Sequence, residues 1–289
     1  MHRFFRLLLI SFMGIVASLG VAEAMDGVIS AERTPLSPSM SFDNHVFLPI
    51  VTNGKASDVV TNGKLTLDLQ FMDQVQLPNG QKIDWTPALK QPYVNAANKW
   101  LSALQGIEGT DTHTITIEIT VTPLATGNGE AGVTEDAEVG QYVFPIAGEM
   151  IIASHTYEVG FDQIEFNANI IHEMGHVLGV VTITEDYMTH DTATNGPVFR
   201  GIETNRGVEL YNQIYGTTVD FVPISDDRGH LYDVVLQEDQ PRQLPDGSPL
   251  PSMTKEVMAN GHVFGSVALG VLDDIGYIVD YSAAEIYVP

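Results

Sequence analysis

The sequence has no cysteine and few basic residues: 13 lysines and arginines stand against 37 aspartates and glutamates, giving a formal net charge of −24. Without thiols the chain can form no disulfides and cannot hold a metal through thiolates. So acidic a protein repels nucleic acid and anionic membrane surfaces, and we expect neither as a partner. Calcium binding by carboxylates stays open as an alternative to a purely solubilising role.

The N-terminus has the pattern of a secretory signal peptide. Arg3 and Arg6 precede an apolar run over residues 7–19, and the Ala-Glu-Ala at 22–24 fits the small-x-small cleavage rule. Because the run is shorter than the roughly 20 residues that span a bilayer, we expect cleavage after residue 24, a secreted protein and no membrane anchor in the mature chain. Residues 25–64, rich in Pro, Ser, Asn and Gly, are predicted to be an irregular lead-in or a short pro-segment.

The rest of the chain predicts a mixture of strands and helices. Of the 289 residues, 44% are hydrophobic, so one large domain or two joined halves can bury a core. Alternating apolar residues predict strands over 65–71 and 113–121, and an apolar run predicts a third strand over 148–155. Thr86-Pro87 followed by helical spacing predicts a helix to about residue 105. The glycine- and acid-rich segment 126–140 is predicted to be a solvated loop.

Residues 170–179 read Ile-Ile-His-Glu-Met-Gly-His-Val-Leu-Gly and contain the pattern His-Glu-x-x-His. Residues four apart lie on the same face of a helix, so His172 and His176 can offer two imidazoles to one metal ion. Glu173 lies beside them, where it can act on a metal-bound water. A capping box at Asp162–Glu165 and a terminating Gly179 delimit the predicted helix. Its predicted core stripe comprises Ile164, Ile171, Met174 and Leu178.

A catalytic zinc usually takes three protein ligands, and the pattern leaves the third open. In the most compact arrangement it would be residue 182, but Thr182 is not a suitable ligand. A glutamate on a later helix is a second arrangement, and we predict a helix over 199–215 that carries Glu203 and Glu209. A distant histidine is a third, and the candidates are His190 and His230.

Several later segments resemble the leishmanolysin-like metzincins, and their secreted bacterial members most closely. These segments are Phe-Arg-Gly at 199–201, Val-Glu-Leu-Tyr at 208–211, Val-Pro-Ile at 222–224, Gly-His at 229–230, Lys-Glu-Val-Met-Ala at 255–259 and Ser-Val-Ala-Leu-Gly-Val-Leu-Asp-Asp-Ile-Gly-Tyr at 266–277. Together with the His-Glu-Met-Gly-His helix they follow one another in the family's order. The resemblance covers roughly residues 65–289.

The resemblance implies a metzincin-like zincin catalytic domain of the α/β (α+β) class. A twisted mixed sheet with the active-site helix would occupy residues 65–179, and an irregular C-terminal subdomain would occupy residues 180–289. The resemblance also implies that His230 is the third zinc ligand and that Met258 forms the turn beneath the metal. Glu209, from the arrangement with a glutamate on a later helix, is the alternative ligand. This chain departs from the family in an insertion-like stretch at 237–254 and in Leu231, where the family often has Trp.

The implied function is a secreted zinc-dependent endopeptidase acting on protein or peptide substrates. It would hydrolyse peptide bonds through a zinc-activated water with Glu173 as general base. We expect substrate to add as an extended strand to a sheet edge formed by residues 148–155. The alternative is a non-catalytic exported module that binds metal or a surface partner on the same scaffold. A purely structural acidic protein would require the motif to be accidental.

Overall fold

A computed structural model describes residues 48–52, 55–202, 204–235, 239–259 and 261–287. These residues form a mixed α and β structure with a mixed sheet and few helices, which confirms the predicted class at that level. The predicted signal peptide, residues 1–24, lies outside them. Within the described ranges, no helix combines the length and the apolar composition that crossing a bilayer requires.

The helices and strands fall into two groups along the chain. The first group is β1 (Leu48–Thr52), β2 (Lys55–Thr61), β3 (Leu65–Phe71), β4 (Val75–Gln76), β5 (Lys82–Ile83), α1 (Pro87–Ala103), β6 (Leu104–Ile107), β7 (His113–Thr122), β8 (Gly129–Val139), β9 (Tyr142–Ala153) and α2 (Gln163–Val177). The second group is β10 (Met188–Asp191), β11 (Gly196–Phe199), α3 (Arg206–Tyr215), β12 (Val222–Pro223), α4 (Ser266–Asp274) and β13 (Tyr277–Val279).

The main sheet has six strands in the order β1-β2-β3-β7-β9-β8. Strands β3, β7 and β9 are parallel, whereas β1, β2 and β8 pair antiparallel with their neighbours. The alternation in β3 buries Leu65, Leu67 and Leu69 on one face. Helices α1 and α2 pack against each other, and the buried Trp100 of α1 donates a hydrogen bond from Nε1 to the carbonyl of Ile171 in α2, at 2.9 Å. The motif helix is thus anchored to the apolar layer beneath the sheet.

The second group is joined to the first through the core and through the end of the chain. Strand β13 pairs with β6, and the hydroxyl of Tyr277 donates to the carbonyl of Leu178 at 2.8 Å. Helix α4 packs on α3, and the carboxylate of Asp274 accepts the backbone amides of Arg206 and Gly207 at the start of α3, at 2.7 and 2.9 Å. The buried hydrophobic residues form one cluster that crosses the predicted boundary between residues 179 and 180.

Three predictions about the sheet were wrong. The predicted loop 126–140 is largely strand β8, which alternates small buried residues such as Gly129 and Ala131 with exposed or half-exposed acids. Because β8 covers β9, the segment 148–155 is not an edge: it runs inside β9 and then into a 3₁₀ turn. The lead-in was also predicted to be irregular, but its residues 48–52 and 55–61 form β1 and β2.

Two predictions about helices also need correction. Ile164 was assigned to the core stripe of α2, yet it is 67% exposed because the first turn of the helix extends beyond the layer it packs on. Met174 and Leu178 of that stripe are fully buried, as predicted. The helix predicted over 199–215 begins only at Arg206, since Phe199 is the last residue of β11.

Candidate metal centre

The motif helix carries two of the three buried histidines. Asp162 caps α2 by accepting the amides of Ile164 and Glu165 at 2.7 and 3.3 Å, so the helix begins where the capping box predicts. One turn separates His172 from His176, which places both imidazoles on the same side with ring centroids 4.6 Å apart. The helix therefore offers a pair of nitrogen ligands.

His230 completes the cluster from the other half of the chain. It is the last residue of a hairpin turn, residues 225–230, which we call the ligand turn. Its ring centroid lies 5.0 Å from that of His172 and 5.3 Å from that of His176. One ligand nitrogen from each of the three buried histidines lies within 4.8 Å of the others, so together they could hold a metal ion.

Each of the three imidazoles is oriented by an oxygen at Nδ1. Nδ1 of His172 is 2.5 Å from the carbonyl of Val257, and Nδ1 of His176 is 3.2 Å from that of Val180. Nδ1 of His230 is 2.6 Å from Oδ2 of Asp227. Since these oxygens accept, Nδ1 carries the proton and the Nε2 lone pair is available as a ligand.

The spacing of the two helix nitrogens fits a shared cation. Nε2 of His172 and Nε2 of His176 lie 3.0 Å apart. Two nitrogen lone pairs at this distance repel each other unless a proton or a cation lies between them. Metal–nitrogen bonds of about 2.0–2.1 Å in tetrahedral geometry would place two such nitrogens about 3.3 Å apart. The donor set, three neutral imidazoles, is one that Zn²⁺ and similar transition metals accept.

Burial keeps the two helix imidazoles neutral. It lowers the pKa of His172 well below the ordinary value, with His176 and His230 acting in the same direction. Burial likewise lowers the pKa of His176 to about 3, with a further contribution from His230. A neutral imidazole is the form that binds a metal, so His172 and His176 are in their ligand state at neutral pH.

Glu173 lies on the neighbouring face of α2, against the edge strand β8. Its side chain is buried, and a Cβ added to Gly129 would stand 2.5 Å from Glu173 Oε1. Burial raises the pKa of Glu173 to about 8, and the charge of Glu130 adds to this shift. A cation at the histidine cluster would oppose the shift, because a nearby positive charge favours the carboxylate.

Met258 lies directly beneath the motif helix. A Cβ added to Gly175 would be 2.3 Å from its sulfur, so the helix glycine makes room for this fully buried side chain. The carbonyl of Met258 accepts the amide of Leu231 at 2.9 Å, next to His230. The carbonyl of the preceding Val257 holds His172. The turn at Met258 thus contacts both segments that carry the three histidines.

Other residues considered as ligands lie elsewhere. Glu209 is exposed on α3 and forms an ion pair with Arg206 at 2.9 Å, and His190 is exposed on β10. Thr182 donates its hydroxyl to the carbonyl of His176 at 2.6 Å, where it helps to end the helix. Glu203 lies outside the described residues. Across the described part of the chain, the three histidines are the only group of three or more His, Asp or Glu side chains placed to share a metal.

Two residues of the centre were missed by the sequence analysis. Gly129 was placed in a loop, and no local signal marked it as the neighbour of Glu173. Asp227 was overlooked although it lies three residues before His230, a spacing at which a turn can return a carboxylate to an imidazole.

Comparison of the chain with protein-family models and with curated proteins finds no match.

Proposed function

We propose that the protein is a secreted zinc-dependent endopeptidase of the metzincin type, similar to the leishmanolysin-like enzymes. The observation that carries this proposal is the convergence of His172, His176 and His230 with the buried Glu173 beside them. A centre that only bound metal would not need a buried carboxylate next to its ligands, since burying that group costs free energy. The signal-peptide pattern of residues 1–24 supports export.

The three histidines would hold the zinc through Nε2, as their Nδ1 partners require. When bound, the metal would supply a Lewis acid that polarises the scissile carbonyl and makes water more acidic. Glu173 would take a proton from the attacking water and return it to the departing amine. Burial alone raises the pKa of Glu173, and a cation at the histidines would oppose that shift and favour the carboxylate form that accepts the proton.

The edge strand β8 provides a surface for an extended peptide. Among the described strands it pairs only with β9, so its other side is available for a further strand. Gly129 at the start of β8 lies against Glu173, so a peptide paired with this end of the strand would pass the centre. We propose strand addition here, in place of the edge at 148–155 that the sequence suggested. Proteins and peptides remain the proposed substrates.

Substitution of Glu173 tests the proposed chemistry. Glu173→Gln removes the base but no ligand, so the variant should still bind one zinc ion. We expect its hydrolysis of casein to fall by roughly two to four orders of magnitude, the usual contribution of a general base. Glu165→Gln, on the exposed part of the same helix, is the matched control and should keep normal activity. Full activity in Glu173→Gln would refute the mechanism.

A further inference from the structure

The ligand turn is a hairpin tip with an acidic interior. Ile224 and Leu231 form an antiparallel bridge, and the amide of Ser225 donates to the carbonyl of His230 at 2.9 Å. Inside the tip, Asp227 accepts the amide of Gly229 at 2.7 Å and Nδ1 of His230 at 2.6 Å. Although burial opposes it, His230 holds the pKa of Asp227 well below its usual range. The orientation of the third imidazole therefore depends on the shape of this turn.

Asp239 closes the turn from outside. It belongs to the insertion-like stretch 237–254 and is only 5% exposed. Its Oδ1 accepts the hydroxyl of Ser225 at 2.9 Å and the amide of Asp226 at 2.6 Å, on the arm before the tip. Its Oδ2 accepts the amide of Asp233 at 3.0 Å, on the arm after the tip. One carboxylate thus joins both arms of the hairpin.

Arg242 of the same stretch strengthens this arrangement. Its buried guanidinium pairs with Asp226 at 2.5 Å and donates to the carbonyl of Pro197 at 3.3 Å. It also lies over the ring of Tyr232, 4.6 Å from the centroid. Gly196 leaves the space that the guanidinium fills, since a Cβ there would be 2.1 Å from the Arg242 Cζ atom. The insertion therefore fastens the ligand turn to the three-stranded sheet of β10, β11 and β12.

We propose that Asp239 is a positioning residue for the metal centre: by joining the two arms of the ligand turn, it sets the placement of Asp227 and, through it, the orientation of His230. This inference rests on the metal centre of the proposed function, and it gives the insertion a role. Asp227 is the oxygen partner of the ligand itself, and loss of such a partner typically lowers metal affinity about 10- to 100-fold. Asp239 acts through Asp227, one step further out, so we expect an effect at the lower end of that range.

The test compares zinc affinity in the unmodified full-length protein and four variants by competition with a chromogenic chelator. In Asp239→Asn an amide NH₂ replaces Oδ2, and it cannot accept the backbone amide of Asp233. The two arms of the ligand turn are then no longer joined, and we expect zinc to bind about 10-fold more weakly. Asp246→Asn is the matched control, because Asp246 lies exposed in the same stretch and contacts only Ser248. It should bind zinc as the unmodified protein does.

The remaining two proteins separate positioning from general stability. In a His230→Ala background, zinc binds only the two helix histidines, so adding Asp239→Asn should leave that residual affinity unchanged. An equal loss in both backgrounds, or no loss in the unmodified background, would overturn the proposal.

These measurements do not depend on peptide hydrolysis. A protein that binds zinc and cleaves no peptide would end the endopeptidase proposal and leave the affinity comparison fully readable. A protein that binds zinc and cleaves peptides, with the same affinity in Asp239→Asn, would end the positioning proposal alone.

Discussion

The two sides of the candidate metal centre are held by different interactions. On the motif helix, local spacing aligns His172 with His176, apolar packing fixes the helix, and backbone carbonyls accept their Nδ1 protons. On the ligand turn, a side-chain carboxylate orients His230, and a second carboxylate from a later segment shapes the turn. The first side is specified within a few residues, whereas the second depends on contacts between distant parts of the chain.

The same contrast extends through the two halves of the structure. The first half is built from a six-stranded sheet with two helices packed on its apolar face. In the second half, buried carboxylates accept backbone amides at several points: Asp274 at the start of α3, Glu256 at the start of α4 and Asp239 at the ligand turn. Several backbone segments of the second half therefore depend on buried carboxylates for their position.

Removing the third histidine should have the largest effect. His230→Ala leaves two imidazoles for the metal, and we expect bound zinc after dialysis to fall from one ion per chain to nearly none, with loss of peptide hydrolysis. Glu209→Ala removes an exposed carboxylate that pairs with Arg206 and should keep the full zinc content. Metal analysis of both purified variants decides between the two ligand sets. Zinc lost from Glu209→Ala and kept in His230→Ala would contradict the geometry described above.

A smaller effect is expected from a methyl group at the edge strand. In Gly129→Ala the added Cβ would stand 2.5 Å from Glu173 Oε1, so the carboxylate must move by more than half an ångström. Displacements near 1 Å can cost roughly 100-fold in rate, and we expect a loss of this order in kcat with zinc content unchanged.

Gly132→Ala is the control for this prediction, since nothing lies within 4 Å of a Cβ at that position on the same strand. It should keep normal kcat and zinc content. Equal losses in both variants would show that the strand, and not its contact with Glu173, is responsible.

The parts of the fold that the sequence predicts are those with local signals. The alternation of β3, the cap at Thr86 and the cap at Asp162 each depend on neighbouring residues, and the structure confirms them. Strand β8 was missed because its acidic residues face outward at an edge and its buried residues are small. Only pairing with β9, which sequence patterns do not reveal, identifies it as a strand.

The residues of the candidate metal centre also divide into those with a local sequence signal and those without one. Residue spacing alone identifies His172, Glu173 and His176, since a helix brings them together. His230 stands 54 residues after His176 (230 minus 176), and no periodicity joins the two. It was reached through a resemblance to a family, and the alternative Glu209 stayed open until the structure placed it away from the cluster. Asp239 could not have been predicted, since its role depends on the folded course of the insertion.

The last prediction concerns how the stability of the protein depends on pH through Glu256, a residue of the second half. Glu256 precedes Val257, whose carbonyl holds His172, and its Oε1 accepts the amide of Val267 in α4 at 3.3 Å and the hydroxyl of Tyr287 at 2.9 Å. Burial raises the pKa of Glu256 to about 7 although these hydrogen bonds oppose the shift. The folded protein therefore holds this proton up to a higher pH than the unfolded chain, in which the pKa is near 4.5.

The sign of the effect follows from proton linkage. Between pH 4.5 and 7 the unfolded chain binds fewer protons at this site, so the free energy of unfolding should fall as pH rises, by about 3 kcal/mol over the window. Glu256→Gln cannot lose a proton and should lack this component. Urea unfolding of both proteins at pH 4.5 and 7.5 measures this component of the free energy of unfolding. The other acidic residues are the same in both proteins, so their contributions cancel when one pH dependence is subtracted from the other. An identical pH slope in the two proteins would contradict the prediction and would mean that the start of α4 tolerates the charged carboxylate.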